Sequence, residues 1–439
     1  MKKEEIISVL SDWNFWGKGL EIGIKRETYV REIIETLEGK VNKVVTIFGV
    51  RRSGKSYILR QVAKILSERH GKENVLYVNF EEVKFGPRMD EALLVKIFEA
   101  FREIVRPSAK PFLILDEVQE VKNWERFVRS LHEKGACRFV VSGSSAKLMS
   151  EELSTLLAGR SVEVEVFPLS FKEYLKFVGV EYPSLSISRE DLIAELRKYL
   201  EWGGFPEVVL SEKASQKRKI LRGYFETILL KDVEKRFRIR EREALEFLSH
   251  YYLTNISSLI SFNRLSKFLK IPVKTVERFS KYLQTSRMIF FVNKFSFGLR
   301  ERKISPRKVY SIDCGISNSI GFRFLENYGK LIENLVAVSL LRRLERPLTE
   351  IFYYKDYQQR EVDFLIKEGL KIKQLIQVTY ASSLDEIERR EIKALTKAYD
   401  LFKKDRPELI IITWDLEDIL KVNNKEIKLI PLWKWLLTK

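Results

Sequence analysis

The sequence predicts an α/β protein in which a parallel sheet is followed by helical segments and a second α/β region. Three observations predict it. Short continuous apolar runs, Val44-Val45-Thr46-Ile47-Phe48 and Pro111-Phe112-Leu113-Ile114-Leu115, fit strands buried on both faces. Strand-like and helix-like stretches alternate at short spacing up to residue 168, the pattern of a parallel sheet. A glycine-rich turn, Gly49 to Ser56, sits between the first apolar run and a helical stretch. The chain has 439 residues, with 45% hydrophobic and 32% charged. That is foldable, and long enough for two to four units of about 100–200 residues each.

Taken in order, residues 1–40 are an N-terminal lead-in segment, with a helix expected over Val30 to Leu37. The strand Val44–Phe48 follows, then a helix Lys55 to Arg69 and a strand Asn74 to Phe80. Next come the strand ending at Leu115, the helix Trp124 to Lys134, and the strands Arg138 to Ser142 and Val162 to Phe167. Residues 169–240 turn helical, broken by Gly203-Gly204-Phe205-Pro206. Residues 241–300 are again helical and finish on a β-like stretch, Ile289 to Phe297. In 301–439, strands Glu350 to Tyr354, Val362 to Ile366, Leu375 to Thr379 and Leu409 to Thr413 flank a long helix, Tyr328 to Leu344. No apolar run reaches the ~18–20 residues of a membrane span, and the amino terminus lacks the apolar core of a signal peptide. Cys137 and Cys314 have no metal-site spacing and read as reduced thiols of a cytoplasmic protein.

The turn reads Gly49-Val50-Arg51-Arg52-Ser53-Gly54-Lys55-Ser56, which is GxxxxGK[ST]. Its glycines let backbone N–H groups point inward at phosphate oxygens, and the helix that follows aims its N-terminus at the same anion. Lys55 is placed for the β and γ phosphates and Ser56 for Mg²⁺, with Tyr57 next in the helix. This is a P-loop NTPase pattern, with ATP and Mg²⁺ as ligands. Asp116-Glu117 ends an apolar strand where open α/β sheets bind ligands, so Asp116 is expected to hold the metal and Glu117 to polarise water. A strand end at Ser142-Gly143-Ser144-Ser145 offers a γ-phosphate sensor, with Ser144 preferred over Ser142 against an ordinary turn. Arg160 is either a charge-stabilising arginine, acting in cis or in trans, or a surface ion pair.

These motifs, together with Gly23-Ile24-Lys25-Arg26, Asp116-Glu117-Val118-Gln119, Trp124-Glu125, Leu157-Ala158-Gly159-Arg160, Pro168-Leu169-Ser170-Phe171 and Gly203-Gly204-Phe205-Pro206-Glu207, run over nearly the whole chain. The sequence resembles the AAA-type ATPases of archaea and bacteria that end in a domain shaped like a restriction endonuclease. The resemblance implies an ATPase core over 41–168, a helical lid over 169–240, a winged helix over 241–300 and a nuclease-like domain over 301–439.

The stretch 261–283 reads as helix-turn-helix. Leu265, Phe268 and Leu269 are expected to face a core, Ile271-Pro272 to turn, and Val273, Val276 and Phe279 to form the second apolar face. Lys274, Thr275, Arg278 and Lys281 lie on its other face, suited to DNA. The competing reading is a helix pair used for packing alone. Restriction-type nucleases carry a helix Glu, a strand Asp and a strand Glu-x-Lys; Glu333 and Asp363 match the first two, while Gln377 and Thr379 replace the Glu and the Lys. A neutral amide is a poorer Mg²⁺ ligand than a carboxylate. A binding surface without cleavage is therefore favoured, unless Lys371 or Lys373 supplies the missing charge.

The formal net charge of +18 points to a polyanionic partner, DNA more than RNA. Three functions fit: an ATPase whose cycle acts on DNA, a slow ATP-dependent switch that signals to a protein partner or promoter, and an ATP-gated nuclease. A homo-oligomer would accommodate Arg160 in trans.

Overall fold

The computed structural model describes residues 1–87, 89–143, 159–183, 188–321, 328–344 and 348–438. The chain forms two compact units, Met1–Phe167 and Pro168–Lys439.

The first unit is built on five parallel strands: β1 (Val44–Phe48), β2 (Val75–Asn79), β3 (Phe112–Asp116), β4 (Arg138–Ser142) and β5 (Ser161–Glu165). Their spatial order is β2-β3-β4-β1-β5. Alternate side chains of each strand face opposite sides, so the sheet needs two covers. On one face Val44, Leu76, Leu113 and Phe139 pack with Ile6, Val9 and Leu10 of the helix Lys3–Ser11, Leu94 and Ile97 of Glu91–Ala100, and Phe127 of Trp124–Glu133. On the other face Val45, Ile47, Ile114 and Val140 pack with the helices Glu27–Glu38 and Lys55–His70. Val30, Ile33, Ile34 and Leu37 fall on one stripe at helical spacing, which is why Glu27–Glu38 buries that face. Strand positions agree with those expected from the apolar runs to within two residues. The helix Lys3–Ser11 was not anticipated.

The second unit opens with the helices Phe171–Phe177, Arg189–Trp202, Pro206–Leu210, Ala214–Thr227 and Arg242–Thr254. Its sheet has nine strands: β6 (Ser258–Ile260), β7 (Ile289–Lys294), β8 (Arg307–Ser311), β9 (Thr349–Lys355), β10 (Glu361–Glu368), β11 (Lys371–Val378), β12 (Glu408–Thr413), β13 (Asp418–Val422) and β14 (Lys425–Pro431). The order is β13-β14-β12-β11-β10-β9-β7-β8-β6. β8 is antiparallel to both β6 and β7, and β7 joins β9 in parallel, so the sheet is continuous across residue 300.

The break at Gly203-Gly204-Phe205-Pro206 is a joint. The Gly204 N–H donates to Asp313 Oδ2 at 2.7 Å, and the Ile316 N–H donates to Asp313 Oδ1 at 3.2 Å. Gly203 has φ +76°, and a Cβ there would come within 2.0 Å of Asp313 Oδ1, so only glycine fits. Burial pushes the Asp313 carboxyl up to about 6, against the backbone N–H groups of Gly204, Ile316 and Gly315 that stabilise its charge. Among the described residues no helix is long and apolar enough to cross a membrane.

Candidate functional site

The glycine-rich turn leaves β1 at its C-terminal end. Gly49 has φ +147°, and a Cβ on it would lie 2.1 Å from the Val166 carbonyl oxygen, so the loop can turn there only without a side chain. Gly54 is left-handed at φ +96° and starts the helix Lys55–His70, whose first-turn N–H groups have no partner within the helix. Lys55 is buried and folds back, donating to the Gly49 and Val50 carbonyls at 3.2 and 3.3 Å. The Ser53 hydroxyl oxygen is buried with no hydrogen-bond partner among the described residues. Arg51 lies 3.7 Å from Glu81, Arg52 is exposed at φ +70°, and Tyr57 stands half exposed beside Gly23 with Arg60 over its ring.

A residue known only as part of a motif turns out to brace this loop. Arg26 is buried and its Nη1 donates to the carbonyls of Ser53 (2.8 Å) and Phe167 (3.0 Å). Its own N–H donates to Gln61 Oε1, while Gln61 Nε2 donates to Ile22 and Ile24. The lead-in segment is thereby stitched to the loop and to the first helix behind it.

The strand order puts β4 between β1 and β3, which places the end of β4 between the loop and the acidic pair. The residue there is Ser142. Its hydroxyl donates to Asp116 Oδ1 and accepts the Glu117 N–H at 3.1 Å. Asp116 Oδ2 accepts from the Tyr77 hydroxyl at 2.7 Å. Burial, and then the charge of Glu117, push the Asp116 carboxyl up, while Ser142, Tyr77 and Ser56 act to hold it down. The Glu117 carboxylate is held by Gln119 Nε2, two residues on. Ser144, the preferred sensor, lies outside the described residues, as do Ser145, Leu157 and Ala158.

Arg160 lies away from this loop. It precedes β5, and its carbonyl accepts the Val44 N–H at the start of β1, the end of the sheet opposite the loop. Five residues of strand, about 16 Å, separate it from Gly49. Its guanidinium pairs with exposed Glu133 at 2.7 Å. Within its own chain, Arg160 is a surface ion pair.

In the second unit, Lys274, Arg278 and Lys281 are exposed on the helix Val273–Thr285, Thr275 is half buried, and Val276 and Phe279 are buried as expected. Arg278 lies 4.0 Å from Glu241. Phe268 departs from expectation: it is 65% exposed, and on its helix, Phe262–Leu269, the buried residue is Leu265. Residues 213–308 carry 24 Lys and Arg against 8 Asp and Glu, so this segment holds most of the net +18.

Glu333, Asp363 and Gln377 come from the helix Tyr328–Arg342, β10 and β11. Asp363 Oδ2 accepts from the Val378 N–H at 3.0 Å, next to Gln377. Lys371 and Lys373 are exposed and contribute nothing there. The lysine present is Lys308 of β8, a residue that the sequence reading missed. Burial by itself would lower the pKa of its ammonium, but Asp363, Glu333, Tyr310 and Glu361 hold it well above the ordinary lysine value.

Residues 41–175 match the AAA domain family. Residues 193–326 and 328–435 match two domains of unknown function, DUF8612 and DUF4143. The chain is 35% identical over 431 residues to the uncharacterized protein MJ1544 of Methanocaldococcus jannaschii, covering 95% of this chain and 93% of that one. It belongs to the same family. A Haemophilus influenzae uncharacterized protein is 29% identical over 424 residues, covering 93% and 98%. Two solved structures are distantly similar. The Aeropyrum pernix Orc1 protein in complex with DNA has TM-score 0.33 and 14% identity, covering 67% of this chain and 91% of that one. AMPPCP-bound DnaA from Aquifex aeolicus has TM-score 0.28 and 19% identity, covering 60% and 89%. Within this family, residues 41–175 form an AAA-type, P-loop ATP-binding domain.

Proposed function

We propose that the protein is a Mg²⁺-dependent ATPase whose cycle acts on DNA through its second unit. The observation that carries the reading is the bridge of Ser142 to Asp116 and Glu117 at the strand ends beside the Gly49–Ser56 loop. The residues fit nucleotide and metal: the loop is a cradle that a Cβ at Gly49 would fill, and it contains the unpartnered Ser53 hydroxyl. Ser56 and Asp116 supply hard oxygen ligands of the kind Mg²⁺ prefers. When bound, Mg²⁺ would offset phosphate charge. The loop N–H groups and Lys55 bind the β and γ phosphates, for which Lys55 must leave the Gly49 and Val50 carbonyls. Glu117, once released by Gln119, takes a proton from the attacking water.

The basic segment 213–308 supports DNA as the polyanion, with Lys274, Thr275, Arg278 and Lys281 on the contacting helix. The helices Arg242–Thr254, Phe262–Leu269 and Val273–Thr285 and the antiparallel strands β6, β8 and β7 follow one another in the manner of a winged helix, and the 169–240 helices read as a lid. The C-terminal portion reads as a nuclease-like domain that binds without cutting.

A second reading, a slow nucleotide-dependent switch, is favoured by the resting contacts of Lys55 and Glu117, both of which must break before turnover. The test is the ATPase rate with and without duplex DNA. A severalfold rise supports action on DNA, and an unchanged rate supports the switch. Normal hydrolysis by Lys55→Ala refutes both.

A further inference from the structure

Lys308 is 2% exposed, yet it carries a charge into the interior of the second unit. Its Nζ lies 2.9 Å from Glu333 Oε1, 2.7 Å from Glu361 Oε1 and 2.8 Å from Asp363 Oδ1. An ammonium has three N–H donors and no acceptor; Glu333 and Asp363 accept hydrogen bonds from it, and Glu361 closes the cage as an ion pair. Each carboxylate is also fixed from outside. The Tyr310 hydroxyl donates to Glu333 Oε1 at 2.7 Å, Lys355 Nζ sits 3.2 Å from Glu361 Oε2, and the Val378 N–H holds Asp363 Oδ2. Carboxylates converging on one cation, each oriented by an outer partner, are the arrangement a divalent metal site requires.

A second, independent observation comes from Gln377. It is 7% exposed and its Oε1 has no hydrogen-bond partner among the described residues. Its strand neighbour Val378 bonds Asp363, so a buried acceptor without a partner lies one residue along β11 from a bond to the carboxylate centre. An ammonium offers three bonds, whereas a divalent ion takes six or more oxygen ligands and would have a use for a fourth protein oxygen.

We propose that Lys308 is the built-in cation of the carboxylate centre, seated among Glu333, Glu361 and Asp363 where a divalent metal would bind, and that it closes the centre to metal. The inference rests on the reading of this domain as nuclease-like but non-cleaving. The ammonium is also no catalytic lysine, since it is buried among three carboxylates with no access to a phosphodiester. Removing it uncovers a latent site for Mn²⁺ or Mg²⁺ built from the three carboxylates.

The test is Mn²⁺ binding by the nucleotide-free full-length chain, followed by electron paramagnetic resonance. Every variant retains the P-loop, so its contribution is common to all. Lys308→Ala is expected to bind one Mn²⁺ more than wild type, at least tenfold tighter than any wild-type binding at the centre, and Lys308→Ala/Asp363→Asn to lose it. Lys308→Arg, which keeps a cation, is expected to gain none. If Lys308→Ala folds poorly, recovery of its Tm in Mn²⁺ but not in K⁺ supports the proposal, and no recovery overturns it. Wild-type Mn²⁺ binding that Asp363→Asn removes also overturns it, whether or not any variant folds. DNA cutting separates the two readings: wild-type binding without cutting sinks only the assignment of Lys308, and cutting abolished by Asp363→Asn sinks the non-cleaving domain as well.

Discussion

The two units each bring acidic side chains to a buried place beside strand ends, and treat them oppositely. In the first, Asp116 is surrounded by neutral hydroxyls, Ser142 and Tyr77, and its carboxyl is pushed up by burial and by Glu117. In the second, Glu333, Glu361 and Asp363 surround a lysine of the same chain. Buried carboxylates need compensation, and it comes from a diffusible cation or from a side chain. A site that leaves it to a diffusible cation can be switched by nucleotide and metal; a site that carries its own cation is constitutive.

This contrast is tested hardest at Glu117. Glu117→Gln is expected to lower the ATPase rate on the order of 100-fold or more, the loss typical of a removed general base, and Lys55→Ala by at least as much. Steady-state phosphate release checks both, and rates within threefold of wild type would refute the roles given to the two residues. Next is stability. Lys308→Ala without metal strands three carboxylates and is expected to cost about 3–5 kcal/mol in denaturant unfolding, against a small loss for Lys308→Arg. Gly203→Ala is expected to cost on the order of 2–4 kcal/mol, because its Cβ would overlap Asp313 Oδ1 in a left-handed backbone.

A smaller effect concerns DNA. Charge reversal at Lys274, Arg278 and Lys281 is expected to flatten the log affinity against log salt slope by about 0.9 for each phosphate no longer neutralised. A slope equal to that of wild type would move the interface elsewhere.

The smallest effect is a titration. Glu391 is pushed up to about 7 by burial and by Asp363 and Glu388. Its folded pKa lies above its unfolded one, so stability is lost as pH rises from the ordinary glutamate range to about 7 and stays at that lower level above it. Glu391→Gln is therefore expected to raise stability, and with it Tm, at pH 8 by on the order of 1–2 kcal/mol of unfolding free energy after solvent screening, and to be neutral near pH 4. Equal Tm gains at both pH values would refute the assignment.

How much of this could be read from sequence depended on whether the partners are close along the chain. The Gly49–Ser56 loop and the strand carrying Asp116 are local patterns, and the structure places them at the ends of β1 and β3, with β4 between. The contacts of Ser142 were not local, because they depend on how β4 seats between β1 and β3. Lys308 was invisible for a related reason. Arg307-Lys308-Val309-Tyr310-Ser311 looks like a solvated basic stretch until Glu333, Glu361 and Asp363, 25, 53 and 55 residues along the chain, surround Lys308. Arg26 was noticed as part of a motif, but its bonds to Ser53 and Phe167 span 27 and 141 residues. Phe268 failed because a spacing rule assigns a helix face, and on this helix the buried residue is Leu265.

The uneven charge distribution has a kinetic consequence. With 24 basic against 8 acidic residues between 213 and 308, the remainder of the chain is close to electrically balanced. At physiological ionic strength, fields fade over roughly 8 Å. A polyanion passing most of the surface would feel little, and one passing this stretch would be drawn in and turned before contact. Orientation would then be set during the approach, so that the first collisions already bring the nucleic acid to this one segment.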